Sequence, residues 1–269
     1  MTWIETTSLT FTARHEDGDR SYAEDLLDRL EDLSLKLEDR FEVVPGDVSI
    51  VIHPSPVWLN AAHPFLPFVR YAAAPAGRRY LAGWPMANEV HVLGERAMEK
   101  RAAGEASFEA LRGTAERLYT QIVLAANNER IPPPWTPMRF FRYLSWAWLV
   151  EGGAQHFARQ VDLFRAAVIR RLREGSRPSF PPSRRDAIIL GGTIFDLLEE
   201  YRGGGACELL IGRLRRDGPI ANLEVAFDLR IREVEEMWRE YLRDLARPQP
   251  DATSLPSPEE LLGPTQPDP

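Results

Sequence analysis

The stretch that most limits how this chain can fold begins at Phe108, where Leu111, Ala115, Leu118 and Ile122 recur at steps of three and four. That is the period of a helix burying one face. Arg117 and Gln121 stand one turn apart within it, so two polar side chains share a face beside the apolar stripe. The run Ile131-Pro132-Pro133-Pro134-Trp135-Thr136-Pro137 cannot be helix interior and closes this region. From Met138 a second helical pattern runs to about Arg173, with Phe140, Phe141, Leu144, Trp148 and Leu149 apolar and Glu151 beside them. Its Gly152-Gly153 pair either kinks the helix or lets another backbone approach closely.

Around this centre the pattern predicts an α+β chain. Residues 3–12 read as a first strand, Thr-rich and loosely alternating. Ser21 to Glu24 has reciprocal capping spacing, and Tyr22, Leu26, Leu30, Leu33, Leu37 and Phe41 then mark a helix. Val48 to His53 is an apolar run of strand length, and Val90 and Val92 bracket His91 in a second one. Residues 54–88 read as irregular, with one short helix or hairpin. Beyond 131 only helical patterns follow: Ile188 to Tyr201, Ala206 to Arg216, a short one over Ile220 to Ala226, and Leu229 to Leu245. The expected division is 1–130 as an α+β lobe, 131–246 as a helical lobe, and 247–269 as a disordered acidic, proline-rich tail with a turn at Pro258 to Leu262.

Several features read as structural. Gly203-Gly204-Gly205 follows a helix, not a strand, and lacks the Lys and Ser/Thr of a phosphate loop, so it reads as a helix stop. The four arginines of Arg165 to Arg173 read as a solvated helix end, and the lone Cys207 as a small core residue. His156 lies five residues after Glu151, too far round a straight helix to chelate with it. His53 and His91 are the histidines to inspect for stray metal chemistry. A net charge of -7 argues against a nucleic-acid partner. The start has no cationic segment leading into an apolar one, and no apolar run approaches a membrane span. The expectation is a cytoplasmic chain with no membrane partner.

Arg117-Leu118-Tyr119-Thr120-Gln121-Ile122-Val123-Leu124 resembles the His-Glu-Tyr-Thr-His-Val-Val-Leu segment of small gluzincins, the peptidase MA-like, thermolysin-type metallopeptidases. Trp148-Leu149-Val150-Glu151-Gly152-Gly153-Ala154 resembles the Trp-Leu-x-Glu-Gly-x-Ala segment that supplies that group's third zinc ligand. Val44 to Val48, His53 to Pro56 and Asn88 to Leu93 look like the strands before its active helix, and Glu233 to Arg239 like its closing helix. The resemblance implies a zincin-like N-terminal sheet, an edge strand around His91 lining a peptide groove, and Tyr119, His91, Glu116 and Trp148 near the cleft.

In the pattern, two imidazoles four apart converge on one zinc ion and the Glu between them works on its bound water. Arg117 has five N–H donors and no lone pair to give, Gln121 offers only an amide oxygen, and Leu118 cannot take a proton. A shifted register over Ala115 to Tyr119 places Glu116 second but supplies no His. The expectation is a protein without zinc. Either the Arg117 guanidinium sits where zinc would and pairs with Glu151 two atoms to two, or Arg117 reaches solvent and Glu151 pairs locally. Three functions follow: an inactive metallopeptidase-like protein holding a peptide or protein partner in the former cleft; a hydrolase using Glu151 with His91 or Tyr119, or a metal held elsewhere; or a structural, assembly protein.

Overall fold

The computed structural model describes residues 3–247, so the expected tail lies outside the described residues apart from Arg247. The chain opens with β1 (Trp3–Thr7) and β2 (Phe11–Glu16), an antiparallel hairpin where the pattern predicts one strand. The reversal at Ser8-Leu9-Thr10 has no Gly or Pro to announce it. It is tied down from a distance: Glu31 accepts from the Ser8 hydroxyl at 2.6 Å and the Thr10 amide at 2.7 Å. After one 3-10 turn comes α1 (Arg20–Glu38), which starts one residue before the predicted Ser21, with Asp19 at its cap position making no side-chain bond. Its Tyr22, Leu26, Leu30, Leu33 and Leu37 are buried as their spacing predicts.

β3 (Val48–His53) follows the turn at Pro45-Gly46-Asp47. Residues 54–88 hold more structure than predicted: α2 (Pro56–Ala62), α3 (Leu66–Ala72), a 3-10 turn and the three-residue β4 (Gly83–Pro85). A proline in the first turn of each helix presets φ where the missing N–H costs nothing. Then come β5 (Glu89–Leu93), α4 (Glu95–Glu99), α5 (Glu105–Arg112) and α6 (Thr114–Asn127). The helix expected to run unbroken from Phe108 is interrupted at Gly113, whose carbonyl accepts from the Gln160 side-chain amide at 2.7 Å. The proline run leads into α7 (Pro137–Phe157), with the Thr136 hydroxyl capping Arg139 N–H. After another 3-10 turn the helical part continues with α8 (Arg165–Arg173), α9 (Ala187–Arg202), α10 (Ala206–Gly212), α11 (Pro219–Phe227) and α12 (Ile231–Ala246).

The architecture is therefore α+β, a five-stranded mixed sheet followed by helices. Strand order is β1-β2-β3-β5-β4, with β2, β3 and β5 parallel and both outer strands antiparallel to their neighbours. Because side chains alternate along a strand, register assigns every residue to a face. Ala13 pairs with Ile50 and Ile50 with Val90, and these share one buried face with Phe11, Ile52 and Val92. α1 and α6 cover that face. Arg14, Val51 and His91 are in register on the opposite face. β5 lies between β3 and β4, so the strand carrying His91 is interior and the edge is β4.

α7 and α9 pack backbone against backbone. The glycines answer the choice left open by sequence: a Cβ on Gly152 would lie 2.3 Å from the Gly191 carbonyl carbon, and one on Gly191 would lie 2.5 Å from the Trp148 oxygen. Only hydrogens fit between these backbones. Gly191→Ala should therefore lower the unfolding free energy by about 1–3 kcal/mol in urea denaturation, the usual cost of overpacking. An open helical site would instead gain roughly 0.5–1 kcal/mol from the same change, so the sign alone tests the contact.

Candidate functional site

Arg117 projects from α6 toward α7, whose Glu151 faces it. Leu118 and Ile122 bury the stripe beside it, so the helix cannot rotate Arg117 outward without exposing them. Arg117 is 2% exposed and Glu151 6%. The Arg117 Nη1–H donates to Glu151 Oε2 at 3.0 Å, and Nη2–H donates to the Tyr80 carbonyl at 3.0 Å. The Tyr143 hydroxyl, two turns before Glu151 on α7, donates to Oε1 at 2.8 Å. The solvent-facing alternative for Arg117 is thus set aside. The two-to-two fork is corrected as well, because one nitrogen serves a backbone carbonyl and one carboxylate oxygen serves a phenol.

This is a closed set of charges and donors. Burial pulls the Arg117 pKa below that of a free guanidinium, with Glu151 opposing the shift. Burial first and then Glu151 raise the Tyr143 phenol well above its ordinary value, so it stays a proton donor. Arg117 Nε and Trp148 Nε1 are buried without a partner. Gln121 is 1% exposed one turn from Arg117, and its Nε2 is likewise unpaired. Zinc does not fit these side chains: Arg117 has no lone pair, Leu118 is hydrocarbon, and Glu151 already holds two donors.

The other expected cleft residues are dispersed. Tyr119 is fully buried on the far side of α6, its hydroxyl against Ser34 of α1 at 3.0 Å and the Pro45 carbonyl at 2.9 Å, its ring edge-on to Phe11. Glu116 also turns to α1, where Arg29 donates to it. Trp148 does lie beside the pair, one turn before Glu151. His91 is on the opposite face of the sheet from α6, since its β4 partner is Trp84 while Gly83, next to it, faces Leu118 and Thr114.

His91 instead belongs to a group that sequence brought only partly together. His53 and His91 share a hydrogen bond at 2.9 Å and stack, Glu89 takes the other His91 nitrogen at 3.0 Å, and His63 of the α2–α3 turn meets His91 edge-on. Burial, followed by His91, holds His53 and His63 down to a pKa of about 4. They are neutral at neutral pH. Among the described residues no three His, Cys, Asp or Glu side chains are arranged to hold a metal.

Elsewhere, Arg171 corrects the reading of its helix as a solvated end: it is 2% exposed and donates to both oxygens of Asp186, at 2.5 and 2.9 Å. His156 bonds Asp196 at 2.8 Å and faces away from Glu151's partners. Cys207 is buried, with its thiol against the Phe195 carbonyl and its pKa raised by burial, which makes it unreactive.

An aromatic groove of about 510 Å³ is walled by His63, Phe65, Trp84, Trp135 and Phe140. Trp84 and Trp135 stack at 4.6 Å, and Trp135 touches Tyr143 edge-on, linking groove to site. The free side of β4 is short of main-chain partners. Trp84 pairs inward with His91, so Gly83 and Pro85 point out; Pro85 has no N–H and its carbonyl takes the Trp135 indole at 2.7 Å. No family model matches the chain, and neither the curated proteins nor the solved structures contain a significant match to it.

Proposed function

We propose that this chain is a metallopeptidase-like protein of the thermolysin type in which a fixed guanidinium takes the place of a removable zinc ion, and that it performs no hydrolysis there. The observation that carries the reading is Arg117 between Glu151 and Tyr80, with Tyr143 closing the carboxylate. A zinc site of this kind needs three protein ligands and an open position for water. Here the position opposite Glu151 holds a cation that cannot bind water as a nucleophile or give it up.

The former cleft keeps a binding role for a peptide or protein partner. Its edge has only Gly83 to offer an added strand, so the partner is held by side chains in the aromatic groove rather than along a main-chain ladder. The hydrolase reading lacks a geometric basis, since His91 and Tyr119 both point away from Glu151. Metal analysis tests the proposal. The purified protein should hold well under one zinc per chain, and a chelator should leave its unfolding midpoint unchanged; one tightly held zinc per chain would overturn it.

A further inference from the structure

The charge of this molecule is segregated. The chain carries a net charge of -7, yet residues 54–88 and 131–150 contain Arg70, Arg78, Arg79, Arg139 and Arg142 and no Asp or Glu at all. None of the five makes an ion pair among the described residues; their guanidinium bonds go to carbonyls and to Asn60. Arg101 joins them through the carbonyls of Arg78 and Arg79, again without a carboxylate. Burial, and after it the neighbouring Arg101, bring the Arg70 pKa down to about 10.

The same two segments hold nine of the seventeen large apolar side chains that are exposed among the described residues. Phe65 at the cap of α3, and Phe68 and Tyr71 within it, recur at steps of three and are 75%, 73% and 81% exposed. Phe141 of α7 lines the same groove as Phe65, and Trp58 on α2 and Met138 on α7 are exposed as well. The Arg78 guanidinium lies 5.6 Å from the centre of the Tyr71 ring, so this cation and this aromatic occupy one surface. Exposed apolar area of this extent marks a site of association.

We infer that this face docks on an anionic lipid bilayer, with the exposed aromatics of the α3 and α7 segments entering the headgroup and acyl boundary and Arg78, the exposed arginine beside Tyr71, meeting the lipid phosphates. Exposed Trp, Tyr and Phe side chains beside an arginine that has no carboxylate partner among the described residues suit an interface that is apolar below and anionic above. Charge complementarity favours this occupant: in a net-negative chain, the two segments that carry these exposed aromatics hold five arginines and no carboxylate of their own. Docking differs from crossing, and no described helix is long and apolar enough to span a membrane. The inference departs from the sequence expectation of no membrane partner because total charge hides where the charges sit. It does not depend on the reading of the Arg117 pair, but it competes with a peptide partner for Phe65 and Phe141 of the groove.

The test is co-sedimentation of the full chain with vesicles of equal parts phosphatidylglycerol and phosphatidylcholine, and with phosphatidylcholine alone. The protein should bind the anionic vesicles about tenfold or more tightly, lose that preference at high salt, and show tryptophan quenching by brominated acyl chains. Phe68→Ser, Tyr71→Ser and Phe141→Ser together should weaken binding at least about tenfold with the unfolding midpoint unchanged, because all three side chains are solvent-facing. Arg78→Glu should remove the anionic preference. No binding to either vesicle would assign the face to a protein partner and overturn the inference. So would a serine variant that binds like the parent, or binding competed fully by inorganic phosphate.

Discussion

Replacing Arg117 with Ala is expected to lower the unfolding free energy by about 3–5 kcal/mol, the loss typical when one member of a buried ion pair is removed. The pair at 3.0 Å is nearly dry, and without the guanidinium the Glu151 carboxylate keeps only the Tyr143 hydroxyl. The Tyr80 carbonyl loses its donor as well. Charge, rather than volume, should dominate the effect. Arg117→Met in combination with Glu151→Gln should therefore cost less than Arg117→Ala alone, since no ion is left stranded. Urea unfolding of the three variants measures this directly; a loss below about 0.5 kcal/mol for Arg117→Ala would be the behaviour of an ordinary surface residue.

The contact is partly legible in the sequence. Arg117 and Glu151 each stand beside an apolar period, which makes a buried pair one of two readings and leaves a solvent-facing Arg117 as the other. The detail is not. Tyr143 is two turns from Glu151, but an aromatic at that position reads equally well as core, and the Tyr80 carbonyl belongs to a segment with no period at all. Arg171 shows the same limit: its partner Asp186 lies fifteen residues on, past a proline-rich turn, so Arg165 to Arg173 looks like a row of solvated charges.

Strand order also escaped a local reading. The alternation around His91 is plain in the sequence, but which face it occupies depends on register with Ile50 and Val51 from a distant strand. β4, three residues long with a proline, has too little pattern to be found, and without it β5 reads as the edge. By contrast the α1 stripe and most C-terminal helices were legible because many apolar positions repeat in each. The glycines of α7 announced that something was unusual, while Gly191, from another helix, decided what it was.

The second large effect concerns zinc. Arg117→His, Leu118→Glu and Gln121→His together would place two imidazoles one turn apart facing the existing Glu151, with a carboxylate to act on bound water. Free of zinc, this variant should share the instability of Arg117→Ala, because the cation that balances Glu151 is gone. With zinc it should recover, since a ligand that binds only the folded state adds about 4 kcal/mol at a thousand times its dissociation constant. The neighbouring Tyr143 would remain as a donor beside the third ligand.

Zinc titration of that triple variant, followed by calorimetry and by its unfolding midpoint, tests most directly whether the guanidinium stands in the metal's place. The account predicts one zinc per chain and a midpoint that rises steeply with zinc, while the parent protein responds to neither. A triple variant that folds yet takes up no zinc would contradict it.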